Sequence, residues 1–491
     1  MGRAELPDIL IISVDTMRRD AMAPYGCDLM PTASRLLEEG TAFDRCVATA
    51  PWTYPSFCSM ITGLWPREHR ALANYPRKGA ERKLSILRAD VPVLAETLSQ
   101  AGYHTILSQG NTGWGGPGAG FTRGFDDVFM WSYDNRHGRL RRESKAMIDA
   151  MLHGNTWKFI HFTLWRLARN MGLGSLPVQA PMRDGRTLVN QACRMVRRAP
   201  KDKPVLCWVN FMDVHEPYAP PGRFLADAVP PGKVRPVHLM PFQYLDTGVS
   251  DEDKVYIRKR YDCCARFVDS RIRALLDRWG AMRSKRSRLT VFLSDHGEEF
   301  WDHGRNGADP TRYACGTGHG HTLFNELLRV PFVVHWPEGG VLPRRVRSVV
   351  SLIDLSPTLI DLLRLDVDVS GMSGRSQAAV ATDASAPEQD DRVVFADSLY
   401  YGTERQAVLT TREKLIRCQD TGETQLFTWA DDDPAERDNL ADRPEYAETV
   451  RRLGKALDDW NASMEGAAEG GTLSEEDRKA MEAQLRDLGY I

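Results

Sequence analysis

Three short apolar runs constrain the fold of this chain more than any other feature, because each stops at a residue type that can hold a metal or a proton. Ile9 to Val14 reads I-L-I-I-S-V and stops at Asp15-Thr16. Pro204 to Phe211 reads P-V-L-C-W-V-N-F and leads to His215. Leu289 to Leu293 ends in Ser294-Asp295-His296-Gly297. Runs that are continuously apolar, rather than alternating, suit strands covered on both faces, as in a parallel sheet. Such sheets place ligands beyond the carboxyl ends of their strands. Asp15, His215, Asp295 and His296 are therefore expected at one edge. For Asp15 the same position also suits a residue that caps the following turn.

The segments between these runs read as crossover helices. Pro31 to Glu39 is a helix with Pro in its first turn, closed by Gly40. Val91 to Ala101 is a second helix, ended by Gly102 and followed by a strand over Tyr103 to Leu107. Arg186 to Arg198, Asp253 to Trp279 and Ser356 to Leu363 read as further helices, and Val330 to His335 as a strand. The fold class is α/β, with a mainly parallel central sheet flanked by helices. Composition shifts to Ser, Ala, Asp and Gln around Ser370 to Asp391. Two parts follow from this: 1–375, and a C-terminal 376–491 with short strands and the amphipathic helices Tyr446 to Met464 and Glu475 to Leu488. Within the first part, 136–174 is a basic insert that places Trp157, Ile160, Leu164, Leu167 and Met171 on one helical face. It suits either a lid that meets an anionic substrate or lipid, or an inserted helix packed on the body or a second subunit. A stripe that wide is ordinarily core.

Ala48 to Gly63 reads A-T-A-P-W-T-Y-P-S-F-C-S-M-I-T-G. It puts Thr53 at the end of a loop and the start of a run with helix-forming character. There, unpaired backbone N–H groups and the helix dipole favour an anion. A threonine hydroxyl is a weak nucleophile until a base or a metal activates it. Two carboxylates and an imidazole (Asp15, Asp295, His296), with the Thr53 oxygen as a further ligand, suit a divalent cation. Mn²⁺ or Zn²⁺ fits first, with Mg²⁺ or Ca²⁺ as alternatives. His303, His319 and His321 fall in the polar loop after the third run.

The net charge of −2 argues against a general polyanion binder such as a nucleic-acid protein. Nine cysteines without zinc-type spacing suggest free thiols in a reducing compartment. The first residues enter a strand without a signal-peptide core, and no run of 18 uncharged apolar residues suggests a membrane span. A cytoplasmic protein is the expectation, with a homo-oligomer through the insert or the C-terminal helices as an open possibility.

Taken together, the chain resembles the sulfatase-like branch of the alkaline phosphatase superfamily. That branch also holds arylsulfatases, phosphonate monoester hydrolases, and phosphoglycerol and phosphoethanolamine transferases. The resemblance rests on I-L-I-I-S-V-D-T, T-Y-P-S-F-C-S-M-I-T-G-L-W-P-R-E-H, F-M-D-V-H-E-P-Y-A-P-P, L-S-D-H-G-E-E-F, H-G-H-T-L-F-N-E-L-L-R-V-P-F, D-L-S-P-T-L-I-D-L-L and Q-L-F-T-W-A-D-D-D-P-A-E-R-D-N-L, in that order. It implies a smaller C-terminal sheet subdomain and a metal held by Asp15, Asp295 and His296. It also implies Thr53 as nucleophile and His215 as the group that contacts the ester oxygens or protonates the leaving group. His321 falls where many relatives carry an active-site lysine, with His319 competing for that role. Asn74 matches a substrate-contacting asparagine.

The departures from that branch redirect the expected chemistry. Sulfatases oxidise the Cys or Ser of C-x-P-x-R to an aldehyde; here the five residues are T-Y-P-S-F. Oxidised threonine would be a ketone, and Phe57 stands where the arginine belongs. Thr16 replaces the branch's second early carboxylate, and no lysine follows near Gly110-Asn111. Relatives with a threonine nucleophile generally act on phosphorus through a phospho-threonine. The expected activity is therefore metal-dependent hydrolysis of phosphodiesters or phosphonate monoesters, on a small-molecule or lipid-like anionic ester. The alternatives are sulfate ester hydrolysis without the aldehyde, transfer of the phospho group to an alcohol, and a non-catalytic binding protein.

Overall fold

The computed structural model of the protein describes residues 6–73, 84–110, 119–130, 185–216, 218–225, 250–303 and 316–464. Asn74, the 136–174 insert and the helix expected at Glu475 to Leu488 lie outside the described residues.

The central sheet has eight strands: β1 (Asp8–Val14), β2 (Thr41–Val47), β3 (His104–Gln109), β4 (Asp127–Met130), β5 (Val205–Phe211), β6 (Arg288–Leu293), β7 (Phe332–His335) and β8 (Arg344–Ser351). Their order across the sheet is β8-β2-β7-β6-β1-β5-β3-β4. Only β7 runs antiparallel to its neighbours β2 and β6; the other pairings are parallel. The three apolar runs of the sequence are the three central strands. β1 lies between β5 and β6, with Val14 opposite Phe211 and Ser13 opposite Leu293. Their carboxyl ends are therefore level, which sets Asp15 and Asp295 side by side.

Every residue of β1 is buried, and its side chains alternate between the two covered faces of the sheet. Ile9 and Ile11 join one apolar cluster, with α2 (Thr53–Thr62), α3 (Leu94–Gln100) and α6 (Leu355–Leu362). Leu10, Ile12 and Val14 join the other, with α1 (Pro31–Glu39), α4 (Gly185–Arg198) and α5 (Asp251–Met282). Strands β2 and β8 are absent from the sequence reading because charged residues break their apolar pattern. Asp44 lies in β2 and Arg345 in β8, and the two side chains pair.

The C-terminal part carries a four-stranded antiparallel sheet of β9 (Val394–Ala396), β10 (Arg405–Leu409), β11 (Lys414–Cys418) and β12 (Thr424–Phe427), covered by α7 (Ala447–Ser463). An ion pair shut away from water lies within this part and meets, through Glu436, the helical turn Asn325–Leu328 before β7. Lys414 Nζ lies 2.8 Å from Glu436 Oε1, with both side chains fully buried. The other Glu436 oxygen accepts the Asn325 N–H at 2.6 Å. Lys414→Met strands the Glu436 charge, and breaking a buried pair from one side costs about 3–5 kcal/mol. The expected result is a lower denaturant midpoint that the double variant K414M/E436L largely restores. An unchanged midpoint in K414M would show that the pair does not tie the two parts together.

Candidate active site

Thr53 is the first residue of α2. Trp52 before it is extended (φ −161°, ψ 164°) and provides no side-chain cap to the first turn of the helix. Gly63 ends the helix in the left-handed region. Every side chain of α2 is buried. Phe57 packs on Phe121 (ring centroids 4.7 Å) and Trp208 (5.5 Å), so the position expected to carry arginine is part of the apolar core. Cys58 is fully buried, and burial pushes its thiol far up.

Thr53 Oγ1 lies 3.2 Å from Asp15 Oδ2 and 3.3 Å from His296 Nε2. His296 Nε2 is 3.6 Å from both Asp15 Oδ1 and Asp295 Oδ2. Asp15, Asp295 and His296 are completely buried. His296 Nδ1 is 2.9 Å from the Gly297 carbonyl, which can only accept. The neutral ring therefore turns the lone pair of Nε2 toward Thr53 and the two aspartates. Burial pushes the Asp295 carboxyl up to about 7 and, with His319 nearby, the His296 imidazole down to about 4.

These residues fit a divalent cation. One ligand atom from each of Asp15, Asp295 and His296 falls within 4.8 Å of the others. Asp295 Oδ2 is buried without a hydrogen bond. Two carboxylates that deep are costly unless a positive charge meets them.

The turn after β1 is strained. Thr16 has φ 58°, an outlier for a β-branched residue, and its N–H donates to Asp295 Oδ1 at 3.3 Å. Tyr261 clamps it: its hydroxyl donates to the Thr16 carbonyl and accepts the Arg18 N–H. Such strain persists where surrounding contacts hold it, commonly at working sites.

Two of the remaining histidines join the cluster and two do not. The His319 ring lies 4.6 Å from that of His296 and 4.9 Å from that of His215. His215 Nδ1 is held by the Glu216 carbonyl at 2.9 Å and His319 Nδ1 by Glu298 Oε1 at 2.9 Å. His321 turns instead to Glu299, with Nε2 2.6 Å from Oε2, and His303 pairs with Glu326.

Glu298 and Glu299 are the residues the sequence reading passed over. They follow Asp295-His296 after one glycine, Gly297, and consecutive residues of an extended segment face opposite ways. The ladder Gly318↔Glu299 and Thr317↔Phe300 then brings His319 to Glu298. Burial pushes Glu298 up to about 8. Arg18, paired with Asp20 and Asp302, donates to the Glu298 carbonyl and fixes this segment.

The C-terminal part braces both loops of the site. The Trp52 indole donates to the Ser398 carbonyl at 2.6 Å, and the Asp397 N–H donates to the Thr49 carbonyl. The Gly320 carbonyl accepts the N–H groups of Tyr400 and Tyr401, both at 2.9 Å.

Gly320 has φ +85°, and a Cβ there would lie 3.2 Å from Tyr400 Cβ and 3.4 Å from Tyr401 Cδ2. Gly320→Ala is expected to lose about 1–2 kcal/mol from its backbone and to shift His319 and His321 together, cutting kcat/KM about tenfold or more. Gly102→Ala is the control, with φ +99° and open space at its Cβ. It should lose comparable stability and keep its turnover. Equal losses of turnover in the two variants would remove the positional argument.

The sequence model of the Sulfatase family matches residues 7–365, and that of the N-sulphoglucosamine sulphohydrolase C-terminal region matches 319–463. A choline-sulfatase of Rhizobium meliloti (strain 1021) is 24% identical over 472 residues, covering 89% of this chain and 83% of that protein. Among solved structures, the phosphonate monoester hydrolase of Agrobacterium radiobacter superposes with a TM-score of 0.65 at 18% identity, covering 93% of this chain and 96% of that one. A structure in complex with its substrate D-glucosamine-2-N,6-O-disulfate superposes with a TM-score of 0.66 at 16% identity, covering 94% and 98%. Both therefore share the fold of this chain. The family match spans most of the chain and contains Asp15, Thr53, His215, Asp295, His296 and His319, and the chain accordingly belongs to the sulfatase family of ester hydrolases.

Proposed function

We propose that the protein hydrolyses phosphodiesters or phosphonate monoesters through a covalent phospho-threonine on Thr53. The observation that carries this reading is the placement of a secondary hydroxyl, which oxidation cannot turn into an aldehyde, at a helix N-terminus, 3.2 Å from Asp15 and 3.3 Å from His296. Asp15, Asp295 and His296 Nε2 would hold a divalent ion, Mn²⁺ or Zn²⁺ by donor set, which when bound supplies Lewis acidity beside Thr53 Oγ1. Thr53 Oγ1 attacks phosphorus and gives its proton to Asp15 Oδ2, the carboxylate oxygen that already accepts its hydroxyl. The ester P–O bond opposite breaks, and the departing alkoxide takes a proton from His215 or His319. Water then attacks phosphorus, the Oγ1–P bond breaks and Thr53 regains its proton. The positive end of the α2 dipole favours the anionic oxygens throughout.

Sulfate ester hydrolysis by the unmodified Thr53 is the second reading. It is favoured by the choline-sulfatase relative, which matches 89% of this chain. A panel of aryl phosphodiester, phenylphosphonate monoester, aryl phosphate and aryl sulfate, each run with added Mn²⁺ or Zn²⁺, separates the two. The proposal expects the diester or phosphonate to exceed the sulfate in kcat/KM by at least about a hundredfold, roughly 2.7 kcal/mol of transition-state preference. A preference for the sulfate ends it in favour of the second reading.

A further inference from the structure

We propose a second divalent-cation site, formed by Glu299, His303 and Glu326. It lies outside the Asp15–Asp295–His296 cluster and shares no side chain with it.

The three residues come from two segments that the backbone holds together. Glu299 belongs to the short strand Glu299–Phe300, paired antiparallel with Thr317–Gly318. His303 follows four residues later, its ring stacked on Phe324 with centroids 3.7 Å apart. Glu326 lies in the helical turn Asn325–Leu328. The N–H groups of Gly297 and Glu298 donate to the carbonyls of Leu327 and Glu326, at 2.8 and 3.0 Å. That pairing fixes the approach of the two segments whether or not anything binds between them.

One ligand atom from each residue lies within 4.8 Å of the other two. The side chains of His303 and Glu326 are 7% and 5% exposed, and Glu299 is 1% exposed. Two polar atoms in this pocket are left over. Glu299 gives Oε2 to His321, and its Oε1 is buried without a hydrogen-bond partner. His303 gives Nδ1 to Glu326 Oε1 at 2.8 Å, and its Nε2 is likewise buried and unpartnered. Each such atom costs about 1–3 kcal/mol when nothing meets it. Two within one cluster of a nitrogen and two carboxylates point to a ligand that coordinates rather than donates. One imidazole and two carboxylates suit Zn²⁺ or Mn²⁺ better than the oxygen-only shells of calcium.

The site would act on the first one through Glu299. That carboxylate holds His321 at 2.6 Å, so a cation on its other oxygen fixes the carboxylate plane and with it the imidazole. His321 is then a positioning partner of the second site, which accounts for its turning away from Thr53.

The test counts zinc on the full chain. Protein stripped with chelator is equilibrated with Zn²⁺ and dialysed, and bound metal is measured by mass spectrometry. Wild type should retain two equivalents, Asp295→Asn one and Glu326→Gln one, and the double variant none. Zinc should also raise the melting temperature of Asp295→Asn, in which only the second site is complete. Circular dichroism checks folding, and His303→Gln replaces Glu326→Gln if the latter does not fold. A single equivalent in wild type, two in Glu326→Gln, or no melting shift in Asp295→Asn would each overturn the proposal. None of these results depends on which ester is hydrolysed.

Discussion

Thr53→Ala should lower kcat on the best ester of the panel by about 10⁴-fold or more, the scale seen when a nucleophile is removed from a site that acts as a unit. The substitution removes one oxygen and one methyl from the first turn of a helix whose residues are otherwise packed, so the fold has little reason to change. Asp15, Asp295 and His296 keep their mutual distances because the backbone bonds that hold them do not involve Thr53: Asp15 N–H donates to the Phe211 carbonyl, the Asp295 carbonyl accepts the Ser56 hydroxyl, and His296 N–H donates to Asp295 Oδ1. Metal bound by that trio should therefore remain while turnover disappears. Thr53→Ser keeps the oxygen and frees its rotamer, and should fall between the two. The measurement is kcat with metal content on the same preparation. An alanine variant within tenfold of wild type would mean that another oxygen attacks, and Thr53 would be reduced to a spectator.

Asp295→Asn should have effects of opposite sign with and without metal. With metal, the loss of one anionic ligand should cut affinity and turnover together, by about 10³-fold in kcat/KM at fixed metal concentration. Without metal, the same change should stabilise. Burial raises the folded-state value of Asp295 to about 7, well above the ordinary carboxylate range. A group raised on folding binds its proton more tightly in the native state. Ionising it therefore takes stability away as pH rises from about 4 to about 7, and the loss is complete above that. Asparagine has no charge to bury and can still accept the Thr16 and His296 N–H groups. At pH 8 the chelator-treated variant should melt above chelator-treated wild type, by several degrees, and the order should reverse on adding Zn²⁺. If the variant melts lower in both conditions, the carboxylate serves the fold rather than a cation.

The parts of the site that could be read from the sequence are those fixed by local pattern. Asp15, His215, Asp295 and His296 each follow a continuous apolar run, and a run of that kind has few places to go except the middle of a covered sheet. Thr53 was legible for a similar reason, as the polar residue where a loop passes into a helix. The choice between His319 and His321 was not legible. It depends on the register of a two-residue ladder and on the left-handed turn at Gly320, neither of which a residue pattern encodes. Glu298 and Glu299 were missed because acidic residues just after Asp295-His296 look like a solvated loop until their partners, some twenty residues away, are brought up. Strands β2 and β8 escaped for an electrostatic reason. Arg45 in β2 is buried only because Asp431 and the Arg347 carbonyl meet it. Partners 302 and 386 residues distant cannot be seen from the strand itself.

The contacts from residues 397–401 to Thr49, Trp52 and Gly320 bear on how such a chain can be recombined. A chimera spliced between 376 and 391 would look modular, since the crossover falls between two sheets. It would nevertheless exchange the supports under the loops of Thr53 and His319. Hybrids made from distant parents should therefore fold more often than they turn over, and activity should return when the donor's 49–53 and 319–321 segments travel with its tail.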